Sequence, residues 1–189
     1  MGKVVVSQFV TIDGVFEDPG GSEGMERGAW AFQFDRGEDG DKFKLDEVMA
    51  SDALLLGRVT WEGFAAAWPT RDGEFADKFN GMQKYVVSST LRDPEWNNSK
   101  VVSLDDIAAL REAEGGDILV NGSGQLVAAL VERDLVDELR LMVFPTVLGA
   151  GRRLFGDTDA PKGLRLVESR PVGPDGVLVL IYQPVTRED

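Results

Sequence analysis

The chain of 189 residues contains neither cysteine nor histidine. Without cysteine it has no disulfides, no thiolate metal ligands and no cysteine nucleophile. Without histidine it has no serine–histidine triad, no histidine-ligated zinc and no histidine general base. Proton transfer in an enzyme of this sequence therefore depends on Asp, Glu, Lys or Tyr side chains, on water or on a cofactor.

Basic residues are few, since 20 Lys and Arg stand against 33 Asp and Glu and leave a net charge of -13. This charge repels nucleic acid and anionic membranes over most of the surface, so we expect a small-molecule substrate and neither of these partners. No apolar run reaches transmembrane length, and residues 3–10 already form a strand pattern, which predicts a cytoplasmic protein. No linker divides the chain, so we predict a single domain over residues 1–189.

The acidic residues 35–46 match the pattern of a calcium-binding loop in part. Gly37 stands where the third-position oxygen ligand belongs, and Asp46 replaces the terminal bidentate glutamate. We therefore expect a solvated acidic loop here and no metal site.

Short β-branched and apolar runs alternate with segments of helical spacing. The segment before residue 40 is irregular, and Trp30, Phe32 and Phe34 alternate within it as a short strand or as loop anchors over a cleft. The pattern predicts an α/β fold with a mixed, mainly parallel central sheet flanked by helices and a C-terminal β-hairpin around residues 173–176. Predicted strands cover residues 3–10, 53–56, 85–87, 101–103, 117–120, 139–145, 164–168 and 177–183, and predicted helices cover 41–50, 60–67, 104–113 and the segment after 124.

One phrase occurs twice, an apolar run that ends in glycine at a predicted helix start. A strand that ends at glycine just before a helix leaves unpaired N–H groups and the positive end of the helix dipole at one spot, which suits a phosphate. Two such spots suggest a dinucleotide. The phrases are Leu54-Leu55-Leu56-Gly57-Arg58-Val59-Thr60 and Ile118-Leu119-Val120-Asn121-Gly122-Ser123-Gly124.

Each phrase can also be an ordinary tight turn from strand to helix, with Ser123 as an N-cap. Arg58 favours a bound anion, because a cation at a helix start does not complement the dipole. The phrases lack the three glycines of the dinucleotide-binding fingerprint and the lysine of a P-loop, so neither assignment holds. Ser88 and Ser89 end another strand, and ligands of α/β proteins lie beyond strand ends.

In these phrases the chain resembles the dihydrofolate-reductase-like fold, and within it the reductase domain of the bacterial bifunctional riboflavin deaminase-reductase and its stand-alone relatives. The matching segments keep the family's order over residues 5–15, 55–61, 86–91, 117–124 and 135–155. The deaminase half needs His and Cys zinc ligands, so the resemblance implies the reductase activity alone. It implies hydride transfer from NADPH to a small polar heterocyclic or sugar-derived substrate, as in riboflavin-pathway pyrimidine reductases or dihydrofolate reductases. The alternative is a non-catalytic nucleotide- or ligand-binding protein that kept the fold.

The resemblance also assigns roles to individual residues and implies a homodimer. Substrate contacts are expected from Trp30, Phe34 and Asn121, although riboflavin reductases commonly carry glutamate at the position of Asn121. Cofactor contacts are expected from Val10, Thr11, Gly14, Val15, Gly57, Arg58, Thr60, Ser88, Ser89, Gly122, Ser123, Gly124, Gln125 and Leu126.

Two carboxylates are candidate catalytic groups. Dihydrofolate reductases use an acid on the helix before the Gly-Arg motif, and an ungapped match places Asp41 there. Asp46 and Glu47 lie on the same segment and remain rivals, because helical spacing alone does not show which acid faces the cleft. Asp13 is the other candidate, as a residue that hydrogen-bonds to the substrate or anchors its own loop.

Overall fold

The computed structural model describes residues 2–113 and 115–185. Within them it has eight strands and five α-helices. The strands are β1 Val4–Thr11, β2 Ser51–Gly57, β3 Gln83–Val87, β4 Ser99–Val102, β5 Asp117–Val120, β6 Glu138–Phe144, β7 Leu164–Val172 and β8 Val177–Pro184. The helices are α1 Gly37–Met49, α2 Arg58–Ala67, α3 Glu74–Gly81, α4 Ile107–Ala113 and α5 Gly124–Glu132, with 3-10 turns at Trp30–Gln33, Trp68–Thr70 and Leu104–Asp106.

All eight strands form one sheet in the order β4-β3-β2-β5-β1-β6-β8-β7. The first six strands of this order are parallel, β8 runs antiparallel to β6, and β7 runs antiparallel to β8. The predicted α/β fold with a mixed, mainly parallel sheet and a C-terminal hairpin is therefore confirmed. Because parallel strands end at the same side of a sheet, β1, β2, β3 and β5 all finish at one boundary, which we call the carboxyl edge.

Helices cover both faces of the sheet, which explains why the central strands are apolar without alternation. On one face, here called the α5 face, α4 and α5 bury Ile107 and Val127 against β1 and β5. On the other, the α1 face, Val48 of α1, Trp61 of α2 and Phe79 of α3 cover β2 and β1. None of the described helices has the length and apolarity needed to cross a bilayer.

The structure corrects the sequence reading in the segment before β2. The predicted acidic loop over residues 35–46 is wrong, because the helix predicted over 41–50 begins four residues earlier, at Gly37, and takes in most of that stretch. Glu38 and Asp39 lie in the first turn of α1, where carboxylates complement the helix dipole. Trp30 begins a 3-10 turn rather than a strand.

Candidate functional site

The two glycine phrases meet at the carboxyl edge. The N–H of Gly57 donates to the carbonyl oxygen of Gly122 at 3.1 Å. A Cβ on Gly122 would come within 2.9 Å of Thr60 Oγ1, and a Cβ on Gly57 would collide with the hydroxyl of Ser123. Glycine is therefore required for the close approach of the two turns. We call this contact, formed by Gly57 and residues 122–124, the glycine joint.

Two helix N-termini lie side by side at the glycine joint, because α2 begins directly after Gly57 and α5 begins at Gly124. Neither helix has an acidic residue in its first turn, although the chain carries a net charge of -13. By contrast, α1 and α3 both begin with acids. The positive ends of α2 and α5 are thus left without carboxylates of their own, which suits a bound anion.

Polar side chains surround the glycine joint. Arg58 is exposed and its guanidinium pairs with Glu62 one turn further along α2, at 2.7 Å. Ser88 follows β3, and its hydroxyl accepts from the N–H of Leu91 at 2.9 Å, so it closes the turn. Ser89 beside it is exposed. In α5, the Ser123 hydroxyl caps the helix by accepting from the N–H of Leu126 at 3.4 Å.

The loop after β1 covers the start of α5. The ring of Phe16 lies so close to Gly124 that a Cβ there would collide with it. Gly14 has a φ of +81° and nothing near its missing side chain, so space remains beside the loop. Of the residues expected at the cofactor, Val10, Val15 and Leu126 are buried, whereas Gln125 is exposed.

Asp13 clamps two loops of the carboxyl edge together. Its carboxylate accepts from the Thr11 hydroxyl at 2.6 Å, from the N–H of Leu148 at 3.2 Å and from the N–H of Gly149 at 2.8 Å. The bond from Thr11, with those from Gly149 and Leu148, outweighs the opposing effect of burial and lowers the pKa of Asp13 to about 2. This geometry supports a loop-anchoring role for Asp13.

The three rival acids of α1, Asp41, Asp46 and Glu47, differ in their surroundings. Asp41 is exposed and accepts from Arg36 Nε at 2.6 Å. Asp46 is also exposed and pairs with Lys42 at 2.5 Å. Glu47 alone of the three is buried, and it accepts from the Ser7 hydroxyl on β1 at 2.8 Å. Of these three acids, Glu47 is therefore the one that faces the sheet.

A groove of about 510 Å³ runs between α1 and α3 on the α1 face. Asp41 lines it, as does Lys44, whose ammonium reaches inward to Ser7 and Glu47. Phe75 gives the groove part of its apolar wall. Its full lining is Arg36, Glu38, Asp41, Lys42, Lys44, Leu45, Glu74 and Phe75.

The residues expected at the substrate lie on the same face. Trp30 is 1% exposed and packs on Phe144 with ring centroids 5.4 Å apart, and Phe34 packs on Phe144 at 6.1 Å. Asn121 follows β5 directly, and its Oδ1 is buried without a hydrogen-bond partner in the described part of the chain. Asn121 therefore offers an unused acceptor next to the glycine joint.

Sequence reasoning missed Ser7 and Lys44. Two signals were available: Ser7 and Gln8 interrupt an otherwise apolar strand, and Lys44 precedes Glu47 by three residues on a helix. Neither signal shows that the two side chains meet across the α1 face. That contact needs the packing of α1 on β1.

The profile of the RibD C-terminal domain family matches residues 2–178. The chain belongs to this family. It is 26% identical over 188 residues to the uncharacterised protein YyaP of Bacillus subtilis (strain 168), an alignment that covers 95% of this chain and 94% of YyaP.

Solved structures share the fold of this RibD C-terminal domain. One, from Shewanella sp. PV-4 and named provisionally for riboflavin biosynthesis, has a TM-score of 0.76 at 22% identity, covering 97% of this chain and 99% of that one. Dihydrofolate reductase from Enterococcus faecalis, complexed with NADP(H) and RAB-propyl, has a TM-score of 0.63 at 16% identity, with 97% and 96% covered. The dihydrofolate-reductase-like fold predicted from the sequence is thereby confirmed.

Proposed function

We propose that this member of the RibD C-terminal family is an NADPH-dependent reductase that transfers a hydride to a small polar heterocyclic or sugar-derived acceptor. The observation that carries the proposal is the glycine joint, where two helix N-termini without acidic residues lie next to each other. A pyrophosphate is the ligand that such a pair of helix ends suits. The family membership and the shared fold with a reductase complexed with NADP(H) support the same conclusion.

The residues at the carboxyl edge fit the cofactor. The N–H groups that begin α2 and α5 would hold the pyrophosphate, and Arg58 with Ser88 and Ser89 would hold the 2′-phosphate of the adenosine half. Space beside Gly14 leaves room for the nicotinamide against the loop after β1. The ring of Phe16 would form one wall of this site, since it already covers Gly124.

The bound cofactor would supply the hydride, and the chain would supply position and charge. The acceptor would lie on the α1 face, with the unpartnered amide oxygen of Asn121 as one contact. Asp13 would hold the loop beside the nicotinamide, because its carboxylate joins that loop to residues 148–149. Asp41 would contact the more exposed part of the acceptor from the groove between α1 and α3.

A fluorescence titration with NADPH tests the proposal. We expect saturable binding at sub-millimolar NADPH and weaker binding of NADH, because NADH lacks the 2′-phosphate. A screen of pterins, pyrimidines and small carbonyl compounds for NADPH oxidation then identifies the acceptor. Absence of binding, or equal binding of the two nucleotides, would contradict the proposal. Tight binding without oxidation of any compound would favour the non-catalytic alternative.

We also propose that the protein is a cytoplasmic homodimer joined through β7. This strand is the last of the sheet order, and its residues Leu166 and Val167 are about half exposed. An exposed apolar edge strand is normally covered by another chain or protected from aggregation. The absence of cysteine suits a protein of a reducing compartment.

A further inference from the structure

A lysine of α1 is held inside a buried cluster on the α1 face. Lys44 Nζ donates to the Ser7 hydroxyl at 2.8 Å and to a carboxylate oxygen of Glu47. Ser7 and Glu47 are 5% and 2% exposed, so the partners of the ammonium are almost fully buried. Lys44 Nζ also lies 5.1 Å from the centroid of the Phe9 ring. These contacts fix the position of a charged group that is usually mobile.

The buried cations and anions of this cluster balance, and a further cation lies at its exposed rim. Beyond Glu47, Arg140 lies 3.9 Å from the Glu47 carboxylate and 2.7 Å from that of Glu138, which in turn lies 3.4 Å from Lys3 Nζ. Lys44 and Arg140 thus balance Glu47 and Glu138, while Lys3, whose side chain is 51% exposed, adds a positive charge that solvent screens. A poorly hydrated ammonium in this setting favours an atom that carries or develops negative charge.

One donor of Lys44 remains available to a ligand. An ammonium has three N–H donors, and among the described residues Lys44 gives two of them to Ser7 and Glu47. The side chain is 15% exposed and lines the groove between α1 and α3. The third donor is therefore the one left for a ligand that approaches the ammonium beside the Phe9 ring.

Polar groups lie at the ends of the pairing between β1 and β5. That pairing runs from Val4 with Ile118 to Val6 with Val120, so Ser7 and Asn121 are the next residue on each chain beyond its last pair. Asn121 Oδ1 is buried and lacks a donor in the described part of the chain, and Gly122 follows it directly. A ligand that accepts from Lys44 and donates to Asn121 would thus lie next to the proposed nicotinamide site.

We propose that Lys44 is a catalytic residue, whose ammonium binds the oxygen or nitrogen atom of the acceptor that becomes negative during reduction, and that Ser7 and Glu47 are its positioning residues. The inference rests on the proposed function. Hydride addition to the carbon of a C=O or C=N bond breaks the π bond and leaves its electron pair on the heteroatom. Lys44 stabilises that charge and passes one proton to the heteroatom, and the resulting amine regains a proton from water in the groove.

Binding of barbiturate tests this role without turnover. Barbiturate is a ring with carbonyl oxygens that is an anion at neutral pH, so it resembles the charged product of hydride addition. We expect calorimetry to show binding by the wild type, at least tenfold weaker binding by Lys44→Met and an intermediate value for Lys44→Arg. Lys42→Met is the matched control, because Lys42 lies on the same helix and groove but forms an exposed pair with Asp46.

Equal losses in Lys44→Met and Lys42→Met would overturn the proposal, since they would indicate a general attraction of the groove for anions. Failure of the wild type to bind barbiturate would overturn it as well. Lys44→Met leaves Glu47 without its closest cation, so the double variant Lys44→Met/Glu47→Gln serves as a second test that removes both charges. We expect circular dichroism to show a folded double variant that still binds barbiturate at least tenfold more weakly. NADPH binding, measured separately, tests the proposed function and is expected to be unchanged within twofold in these variants.

Discussion

The N–H of Gly57 bonds to the carbonyl oxygen of Gly122 at 3.1 Å, and this bond brings the starts of α2 and α5 together. A methyl group at position 57 would collide with the Ser123 hydroxyl and force the two turns apart. We expect Gly57→Ala to weaken NADPH binding at least tenfold and to reduce the free energy of unfolding by about 1–3 kcal/mol. Titration and urea unfolding measure the two effects.

Gly63→Ala is the control for this change. Gly63 lies within the same helix, and a Cβ there meets nothing within 4 Å. Because alanine is the better helix former, we expect Gly63→Ala to raise the free energy of unfolding by about 0.5–1 kcal/mol and to leave NADPH binding unchanged. Similar losses of binding in both variants would show that the glycine joint has no special role.

The glycine joint also shows what the sequence could and could not predict. The strand-glycine-helix phrases predicted both turns, because local rules of capping and chain reversal decide them. The helix predicted to start at Thr60 begins two residues earlier, at Arg58, with Gly57 as its N-cap. By themselves the phrases indicate two separate phosphate sites. The two turns meet because β2 and β5 are neighbours in the sheet, although about 60 residues separate them along the chain. Strand order is a property of the whole fold, so local sequence patterns do not reveal it.

We expect Arg58 to bind the 2′-phosphate of the cofactor. In the structure its guanidinium pairs with Glu62 at 2.7 Å, with both side chains more than 40% exposed, so the pair is weak and a phosphate can replace the carboxylate. We expect Arg58→Ala to weaken NADPH binding about tenfold or more and NADH binding less than twofold. Equal losses for the two nucleotides would place Arg58 at the shared pyrophosphate instead.

The helix before β2 shows a different limit of sequence reasoning. Helical spacing gave Asp41, Asp46 and Glu47 as rival acids, and the structure buries Glu47 and leaves the other two exposed. The sequence of α1 is so polar that its few apolar residues do not show which side of the helix faces the sheet. Glu47 is buried because Ser7, Lys44 and Arg140 surround its carboxylate, and those partners come from three different elements.

Asp13→Asn tests the loop clamp. The amide keeps one acceptor oxygen but cannot accept at both Leu148 and Gly149, so the two loops are expected to separate. We expect faster hydrogen exchange of the Leu148 and Gly149 amides and weaker NADPH binding, with helix content unchanged. Asp46→Asn, which alters an exposed pair on α1, serves as the control and should change none of these quantities.

The effect of Asp13→Asn on the free energy of unfolding depends on pH. The pKa of Asp13 falls from 3.8 to about 2 on folding, so the folded protein holds its carboxylate charged more readily than the unfolded chain does. Its contribution to stability is therefore complete above the unfolded pKa and is lost as the pH falls from about 4 to about 2. We expect the difference in free energy of unfolding between wild type and Asp13→Asn to shrink over that interval. A constant difference would contradict this role of the charge.

Lys84 provides a prediction for the opposite pH range. It is fully buried, donates to the carbonyl oxygens of Asn80, Met82 and Asn97 at 3.1, 2.8 and 2.9 Å, and lies 4.4 Å from the Trp96 ring centroid. Lys84→Met leaves three carbonyl groups without this donor and should reduce the free energy of unfolding by about 2–4 kcal/mol. Lys100→Met, at an exposed position on β4, is the control and should cost less than about 0.5 kcal/mol.

Burial lowers the pKa of Lys84 from 10.5 to about 8. Between these values the unfolded chain binds more protons than the folded protein, so the stability of the wild type relative to Lys84→Met should rise with pH. Urea unfolding at about pH 7.5, 8.5 and 9.5 measures the trend. A fall over this range would mean that the three carbonyl groups raise the lysine pKa more than burial lowers it.

The exposed side of β7 gives the last prediction. Leu164, Leu166 and Val167 are 43%, 49% and 51% exposed on a strand whose outer edge has no partner in the described sheet. We expect the wild type to sediment with the mass of two chains and Val167→Lys to sediment as a monomer at micromolar concentration, because a charge would be buried at the centre of the interface. Val147→Lys makes the same change at a valine that is 67% exposed in a loop of the carboxyl edge, and it should remain a dimer. If both variants dissociate, or if the wild type is already a monomer, β7 is not the interface. The charged side chains of Arg165, between Leu164 and Leu166, and of Arg170 must then protect this edge strand instead.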